Sequence, residues 1–345
     1  MTSPGGAFGH APAELPEETL RSLYDVLLLD LDGTVYRGAH AVPGAREALT
    51  TGDKLFYVTN NASRRPGEVA HHLRDLGFPA EDASVVTSSQ SAARLLAEQV
   101  PAGSPVLVVG TEALAEEVAR VGLVPVRTAA AEPVAVVQGH SPETGWAILA
   151  EATLAIRAGA WWVATNIDST LPTERGLVLG NGSMVAAVRH ATGAVPVVAG
   201  KPAAPLLEDA IRRSAAERPL VVGDRLDTDI EGANAVGADS LLVLTGVSTV
   251  DDLLRAPAEQ RPTYVGASLS CLDAPVSETR VAPGGTWSIR FDGEDLHLQS
   301  SGEAGDAMEV LRGLLGIAWS KPGFRRVVPG DEHARNVLAE WAIDL

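Results

Sequence analysis

The sequence predicts an α/β protein: a Rossmann-like parallel-sheet core, an inserted α/β cap domain and a small C-terminal α+β appendage. Three observations carry this. From Asp25 to about Leu244, short apolar runs alternate with helical stretches, the pattern of a parallel sheet covered on both faces. The interval from Asn61 to Lys201 is too long for one crossover and holds a second set of the same alternation. Beyond Leu244 the pattern changes to a hairpin followed by two helices.

The opening MTSPGGAFGHAPAELPEE has neither a basic start nor an apolar run, so it does not read as a signal peptide, and residues 1–24 are expected to be a flexible leader. VLLLDLDG (26–33) is the first core strand and KLFYVTNN (54–61) the second, with room between them for one short helix around Ala45 to Thr51. PLVVGDR (219–225) returns to the same sheet, which places the core at 25–103 and 196–265. In the cap, expected at 104–195, PVLVVG (105–110), PVAVVQG (133–139) and WWVATN (161–166) are strands. Ser141 serves there as a helix N-cap with Pro142 at the first helical position, and Gly159 closes the helix. GASLSCLDAPVSETRVAPGG (266–285) has the composition of a linker. In the C-terminal unit, 286–345, TWSIRF and EDLHLQ flank Asp292-Gly293, a hairpin signal. AGDAMEVLRGLLGIAW and DEHARNVLAEWAI are helical, and Trp287, Trp319 and Trp341 supply a core. This unit is expected to be separable from the catalytic motifs.

A chain of 345 residues exceeds one ordinary domain. At 46% hydrophobic residues and a mean hydropathy of +0.09, with no apolar stretch long enough to cross a bilayer, it is expected to be soluble. The single cysteine, Cys271, forms no intrachain disulfide and suits a reducing cytoplasm. The net charge of −17, from 27 basic and 44 acidic residues, argues against nucleic acid or a membrane surface as partner. An anionic substrate would need local positive charge from a lysine, a metal ion or helix N-termini. Oligomeric state leaves no mark in the sequence.

Four polar sets stand at strand ends or at the domain junction: DLDGT at 30–34, TNN at 59–61, GKP at 200–202 and GDRLDTD at 223–229. Any one alone is an ordinary turn or helix cap. In an open parallel sheet, however, the carboxyl ends of the strands line one crevice, so the four sets converge. Asp30 and Asp32, two residues apart, leave their strand on the same side. One carboxylate fits a nucleophile that splits a hydrolysis into two steps, and the other fits an acid and then a base.

With these residues the chain resembles the haloacid dehalogenase-like phosphohydrolases, through DxDGT, a threonine at the second strand end, a following lysine and GDxxxTD. The TNN, GKP and GDRLDTD sets, with a cap between the second and third motifs, resemble the NagD-like and phosphoglycolate/pyridoxal-phosphate phosphatase branch. Within it the chain is most similar to bacterial glycerol 3-phosphate phosphatases that carry a C-terminal extension. The resemblance spans about residues 25–250. It implies Asp30 as nucleophile, Asp32 as acid and base, and a Mg²⁺ held by Asp30, the Asp32 carbonyl, Asp224 and Asp229. It further implies Gly33, Thr59, Asn60, Asn61 and Lys201 around the phosphate. The substrate it implies is a small phosphorylated metabolite, with glycerol 3-phosphate leading and phosphoglycolate, pyridoxal phosphate and nucleotides as alternatives. The cap stretch VATNIDSTLPTERG (163–176) resembles the branch's ATNPD segment, with Ile167 where proline is common. Asn166 and Asp168 are its candidates for facing substrate, an Asx-turn role being equally open. A phosphomutase of this superfamily usually places a helical cap between the first two motifs, where this chain has no room. A non-catalytic binder would not require both Asp30 and Asp32. The appendage resembles part of an acetyltransferase fold but lacks a pyrophosphate loop, so packing or interaction is expected of it.

Overall fold

The structure, a computed structural model, describes residues 18–49, 52–173, 175–282, 287–300, 306–321 and 323–341. Its largest sheet has six parallel strands in the spatial order Tyr264–Gly266, Asp239–Val243, Pro219–Gly223, Val26–Leu29, Leu55–Thr59, Val85–Thr87. Numbered along the chain, that is the doubly wound order 6-5-4-1-2-3, whose direction reverses between the first and fourth strands. Both faces are covered, so alternate residues of one strand enter different cores. Leu27 and Leu29 join the cluster with Tyr57, Val69 and Leu73, while Val26 and Leu28 join Val58, Leu206 and Leu207.

The cap carries a five-stranded parallel sheet in the order Val197–Val198, Trp161–Ala164, Ala135–Gln138, Pro105–Val109, Val124–Val126, with a separate hairpin of Thr170–Thr173 and Gly176–Leu179. Its extent differs at both ends from the expected 104–195. Val197 pairs with Val163 in the cap sheet. At the other boundary, Ala92 and Leu96 of the helix Ser88–Gln99 pack into the cluster of Val106, Val108 and Leu114. An amphipathic helix does not declare in its sequence which of two sheets its apolar face meets.

Other expectations shift for similar reasons. The cap helix starts at Trp146, not at Pro142, because the Ser141 hydroxyl accepts the Glu143 N–H at 3.2 Å and closes a local turn instead. Between Asp32 and Ala45 the chain also forms a small hairpin, Tyr36–Arg37 with His40–Ala41, whose two-residue strands are too short to show a period. Residues 18–24 of the expected leader are packed: Leu20 is fully buried and its N–H donates to Ala274 at 3.0 Å. Residues 1–17 lie outside the described residues.

Residues 266–282 of the expected linker are a strap laid on the core. Leu269 and Leu272 of its 3₁₀ turn Leu269–Asp273 are buried in the same cluster as Leu20 and Tyr264. The C-terminal unit has a three-stranded sheet, Ser288–Asp292, Asp295–Gln299 and Arg326–Pro329, with helices Ala307–Ala318 and Glu332–Glu340. Its hairpin turns at Gly293 and Glu294, one residue beyond the expected pair, since Asp292 and Asp295 face each other in register. Trp287, Leu311, Leu314, Leu315 and Leu338 form one apolar cluster with Leu226, Ile230, Val250, Leu253 and Leu254 of the catalytic domain. The Trp319 indole N–H donates to the Leu253 carbonyl at 3.0 Å. The unit therefore has no apolar core of its own among the described residues.

Candidate active site

The reversal of strand order puts the tips of Val26–Leu29 and Pro219–Gly223 side by side, and Asp30 and Asp224 leave from them. The Asp30 N–H donates to the Val222 carbonyl at 2.8 Å, which fixes its backbone against the neighbouring strand. After Asp224 the chain enters a π-helical turn, Leu226–Ile230, that brings Asp229 back beneath it. Such turns concentrate at functional sites. Carboxylate oxygens of Asp30, Asp224 and Asp229 all lie within 4.8 Å of one another.

One ammonium group joins two of these acids. Lys201 Nζ donates to Asp30 Oδ1 and to Asp229 Oδ1, both at 2.6 Å, and to the Val58 carbonyl at 3.1 Å. The lysine is 2% exposed. Burial alone would pull its pKa down, but Asp229 and Asp30 more than reverse this, so it stays charged. Burial and then the charge of Asp229 push the Asp30 carboxyl well above the ordinary carboxylate range, against the pull of Lys201. Asp224 is pushed up to about 6 by burial and by Asp229, although the Val247 N–H donates to its Oδ2 at 2.6 Å. Three buried carboxylates around one lysine leave negative charge uncompensated. An all-oxygen donor set of this kind fits a hard divalent cation such as Mg²⁺.

Glycines make the close packing possible. Gly33 has φ +98°, and a Cβ there would lie 2.5 Å from Asp224 Oδ2. A Cβ on Gly246 would meet the same carboxylate. Gly33 was expected at the phosphate, but its N–H donates to the Tyr36 carbonyl at 2.8 Å, so its contribution is room for Asp224. Asp32 is exposed at the mouth of the site. Its surroundings still raise its carboxyl above the ordinary range, against the Gly38 N–H and the Arg37 charge.

Thr59 ends the second strand and is buried, its hydroxyl accepting the Asn61 N–H at 3.1 Å. The Asn61 side chain accepts the Ser63 N–H at 2.7 Å and closes its own turn. Asn60 ties the junction together: its Oδ1 accepts the Lys201 N–H at 2.8 Å and its Nδ2 donates to the Lys201 carbonyl at 3.0 Å. From the cap, Asn166 Nδ2 donates to the Asn60 carbonyl at 2.8 Å, and Asp168 Oδ2 accepts from Asn60 Nδ2 at 3.3 Å. Asn166 also accepts the Asp168 N–H at 3.3 Å, so the loop makes an Asx contact and faces the core at the same time. Burial raises the Asp168 carboxyl, and the Arg225 charge pulls it back.

The four sets thus meet at one crevice. Sequence reasoning missed Arg225, the Val247 N–H and Thr34, whose hydroxyl donates to Asp224 Oδ1 at 3.4 Å. Arg225 carried a signal, a cation inside GDRLDTD; the Val247 contact spans loops distant in sequence and carried none.

Residues 27–124 match the haloacid dehalogenase-like hydrolase family, residues 198–272 match the HAD-hydrolase-like family, and residues 284–343 match a GCN5-related N-acetyltransferase like domain. The chain is 50% identical to a D-glycerol 3-phosphate phosphatase of Mycobacterium tuberculosis over 333 residues, 93% of this chain and 94% of that protein. It is 36% identical to an acid sugar phosphatase of Staphylococcus aureus over 247 residues, 70% of this chain and 93% of the relative. The crystal structure of a glycerol phosphate phosphatase from Mycobacterium tuberculosis in complex with magnesium superposes with a TM-score of 0.91 at 51% identity, covering 95% of this chain and all of that one. The chain belongs to the haloacid dehalogenase-like hydrolases. Within them it is a phosphatase, and its cluster of Asp30, Asp224 and Asp229 has the donor atoms to hold a divalent cation such as the magnesium these enzymes use.

Proposed function

We propose that the protein hydrolyses a small polyol phosphate in the cytoplasm, with glycerol 3-phosphate as leading substrate, through an aspartyl-phosphate on Asp30. The observation that carries the mechanism is the Lys201 bridge, 2.6 Å to both Asp30 and Asp229. It holds the Asp30 carboxylate at the tip of a buried strand and opposes the burial and the Asp229 charge that favour the protonated, non-nucleophilic form.

In the first half-reaction an Asp30 oxygen attacks phosphorus, the bond from phosphorus to the alcohol oxygen breaks, and Asp32 gives that oxygen its proton. In the second, the Asp32 carboxylate takes a proton from water, the water oxygen attacks phosphorus, and the bond to Asp30 breaks to release phosphate. Partial burial raises the Asp32 carboxyl, which moves it in the direction that a group serving first as acid and then as base requires. Asp30, the Asp32 carbonyl, Asp224 and Asp229 would hold Mg²⁺, which when bound offsets the charge of carboxylates and phosphoryl group. Thr59 and the Asn60 N–H would hold the phosphoryl oxygens, and the charge of Lys201 beside Asp30 would offset theirs.

Similarity to the mycobacterial glycerol 3-phosphate phosphatase over nearly the whole chain supports the substrate. So does the cap loop, whose Asp168, Ser169 and Thr170 offer hydrogen bonds to hydroxyl groups and no ring to stack a base. The test is kcat/KM with Mg²⁺ across glycerol phosphates, phosphoglycolate, pyridoxal phosphate, nucleoside monophosphates and sugar phosphates. A tenfold preference for a nucleotide or pyridoxal phosphate over glycerol 3-phosphate, about 1.4 kcal/mol in transition-state binding, would overturn the polyol reading.

A further inference from the structure

The start of the cap helix Asn181–Thr192 is pressed against the loop Asn166–Ser169, which bonds to Asn60 of the core. Four consecutive residues grip it. Gly180 N–H donates to the Ser169 carbonyl at 3.0 Å, Gly182 N–H to the Asp168 carbonyl at 2.9 Å, and the Ser183 hydroxyl to the Ser169 carbonyl at 2.7 Å. Asn181 Nδ2 donates to the Asn166 carbonyl at 2.7 Å and to the Gln138 carbonyl, at the end of a cap strand, at 3.2 Å. A side chain at Gly180 would run into the Asp168 carbonyl, and one at Gly182 into that of Ile167, so this approach requires glycine.

The grip continues into the catalytic core through buried amides. Asn181 holds Asn166, Asn166 holds the Asn60 carbonyl, and Asn60 holds both main-chain groups of Lys201. Asn181 and Asn166 are 2% and 4% exposed, so none of these bonds is readily exchanged for water. By contrast, the Lys201 ammonium, Asp30 and Asp229 hold one another without the cap.

We propose that Gly180–Ser183 is a clamp that sets the loop Asn166–Ser169 over the nucleophile, and that Asn181 is a positioning residue through which the cap discriminates among leaving groups. The proposal rests on the phosphatase reading above. Phosphate is held by the core, whereas the alcohol meets the clamped loop. Loosening the clamp therefore weakens selection of the alcohol more than binding of the phosphoryl group.

The test compares wild type with Asn181→Ala, with Asn181→Asp, which keeps the size but cannot donate, and with Ser183→Ala, a milder loss at the less buried end of the clamp. Glycerol 3-phosphate and p-nitrophenyl phosphate are the substrates, and inorganic phosphate is the inhibitor. Both Asn181 variants are expected to lose about tenfold or more in kcat/KM for glycerol 3-phosphate, mainly through KM. They should change less than about threefold for the aryl ester and keep the inhibition constant for phosphate. Ser183→Ala is expected to move the ratio about threefold in the same direction and serves alone if the Asn181 variants do not fold. Equal losses on both substrates, or an unchanged ratio, would overturn the clamp while leaving the phosphatase reading intact. Failure of the wild type to turn over either ester with Mg²⁺ would instead remove that reading, and the proposal with it.

Discussion

Replacing Leu314 by alanine tests whether the C-terminal unit folds with the catalytic domain or beside it. Leu314 is fully buried in the cluster that also contains Leu226, Ile230, Leu253 and Leu254, and Leu226 and Ile230 bound the turn that carries Asp229. A buried leucine-to-alanine change costs about 2–5 kcal/mol, the spread reflecting how far the site collapses. At ~2.1 cal/mol/K of unfolding entropy per residue, a single cooperative unit of 345 residues shifts about 1.4 °C per kcal/mol, so Tm should fall by about 3–7 °C. A separate unit of the 60 residues from 286 to 345 would shift about 8 °C per kcal/mol and melt at least ~16 °C early, alone. With the cap residues Trp146, Trp161 and Trp162 replaced by phenylalanine in the background, tryptophan fluorescence follows the C-terminal unit through Trp287 and Trp319, and residual phosphatase activity after brief heating follows the active site. The shared cluster predicts that both signals move together by the smaller amount. An early, isolated fluorescence transition with an unchanged temperature of activity loss would refute it.

Asp30→Asn should abolish turnover and leave the thermal transition in place, because the amide keeps the shape but cannot attack phosphorus; near-normal phosphate release would contradict the mechanism. Gly33→Ala should abolish the Mg²⁺-dependent rise in Tm, about 2.7 kcal/mol of stabilisation at a hundredfold excess over Kd in the wild type, since the new methyl group meets Asp224 and the φ of +98° is strained. Calcium should raise Tm yet fail to support turnover, because its larger coordination shell favours bidentate carboxylates and would occupy the attacking oxygen of Asp30; full activity with calcium alone would refute this. Asp25 accepts the N–H groups of Glu217 at 2.8 Å and Arg218 at 3.0 Å, which hold its carboxyl below the ordinary range. Its folded pKa is depressed, so its stabilisation is present above the unfolded value near ~3.9 and is lost as pH falls through the folded value. Asp25→Asn should therefore cost about 0.5–1 kcal/mol in chemical denaturation at pH 7, allowing for solvent screening, and nothing once Asp25 is protonated in both states.

The convergence of the polar sets was legible because a parallel sheet turns chain order into geometry. Asp30, Thr59 and Asp224 each follow an apolar run, and such runs bring their tips to one edge whatever the length of chain between them. Lys201 was legible for a related reason, since it stands where the chain re-enters the core. Contacts between segments without strong periodicity could not be read. Ser141 carried a cap signal that a local turn absorbed. The stretch from 266 to 285 had the composition of a linker, and the buried Leu269, Leu272 and Thr279 mark its described part as packed. Gly33 was assigned to the phosphate, and the commitment of its N–H to Tyr36 follows from a hairpin too short to predict.

Asn181 shows why the remainder was hidden. In the sequence it is one polar residue at the start of an ordinary helix, and its neighbours Gly180 and Gly182 look like a loose turn. In the fold those glycines allow the helix to approach the loop that carries Asp168, and the Asn181 side chain donates to the Asn166 carbonyl and to the Gln138 carbonyl, which also accepts the Thr165 N–H. The C-terminal unit repeats this on a larger scale. Its alternating hairpin and tryptophans read as a separate domain, yet its apolar residues are completed by leucines behind Asp229. A local pattern identifies an element that needs a partner, but the partner's identity lies in three-dimensional contacts. For this chain, the residues proposed for the chemistry need only the sheet to meet, whereas those proposed for selectivity, and those that complete the C-terminal core, need the whole fold.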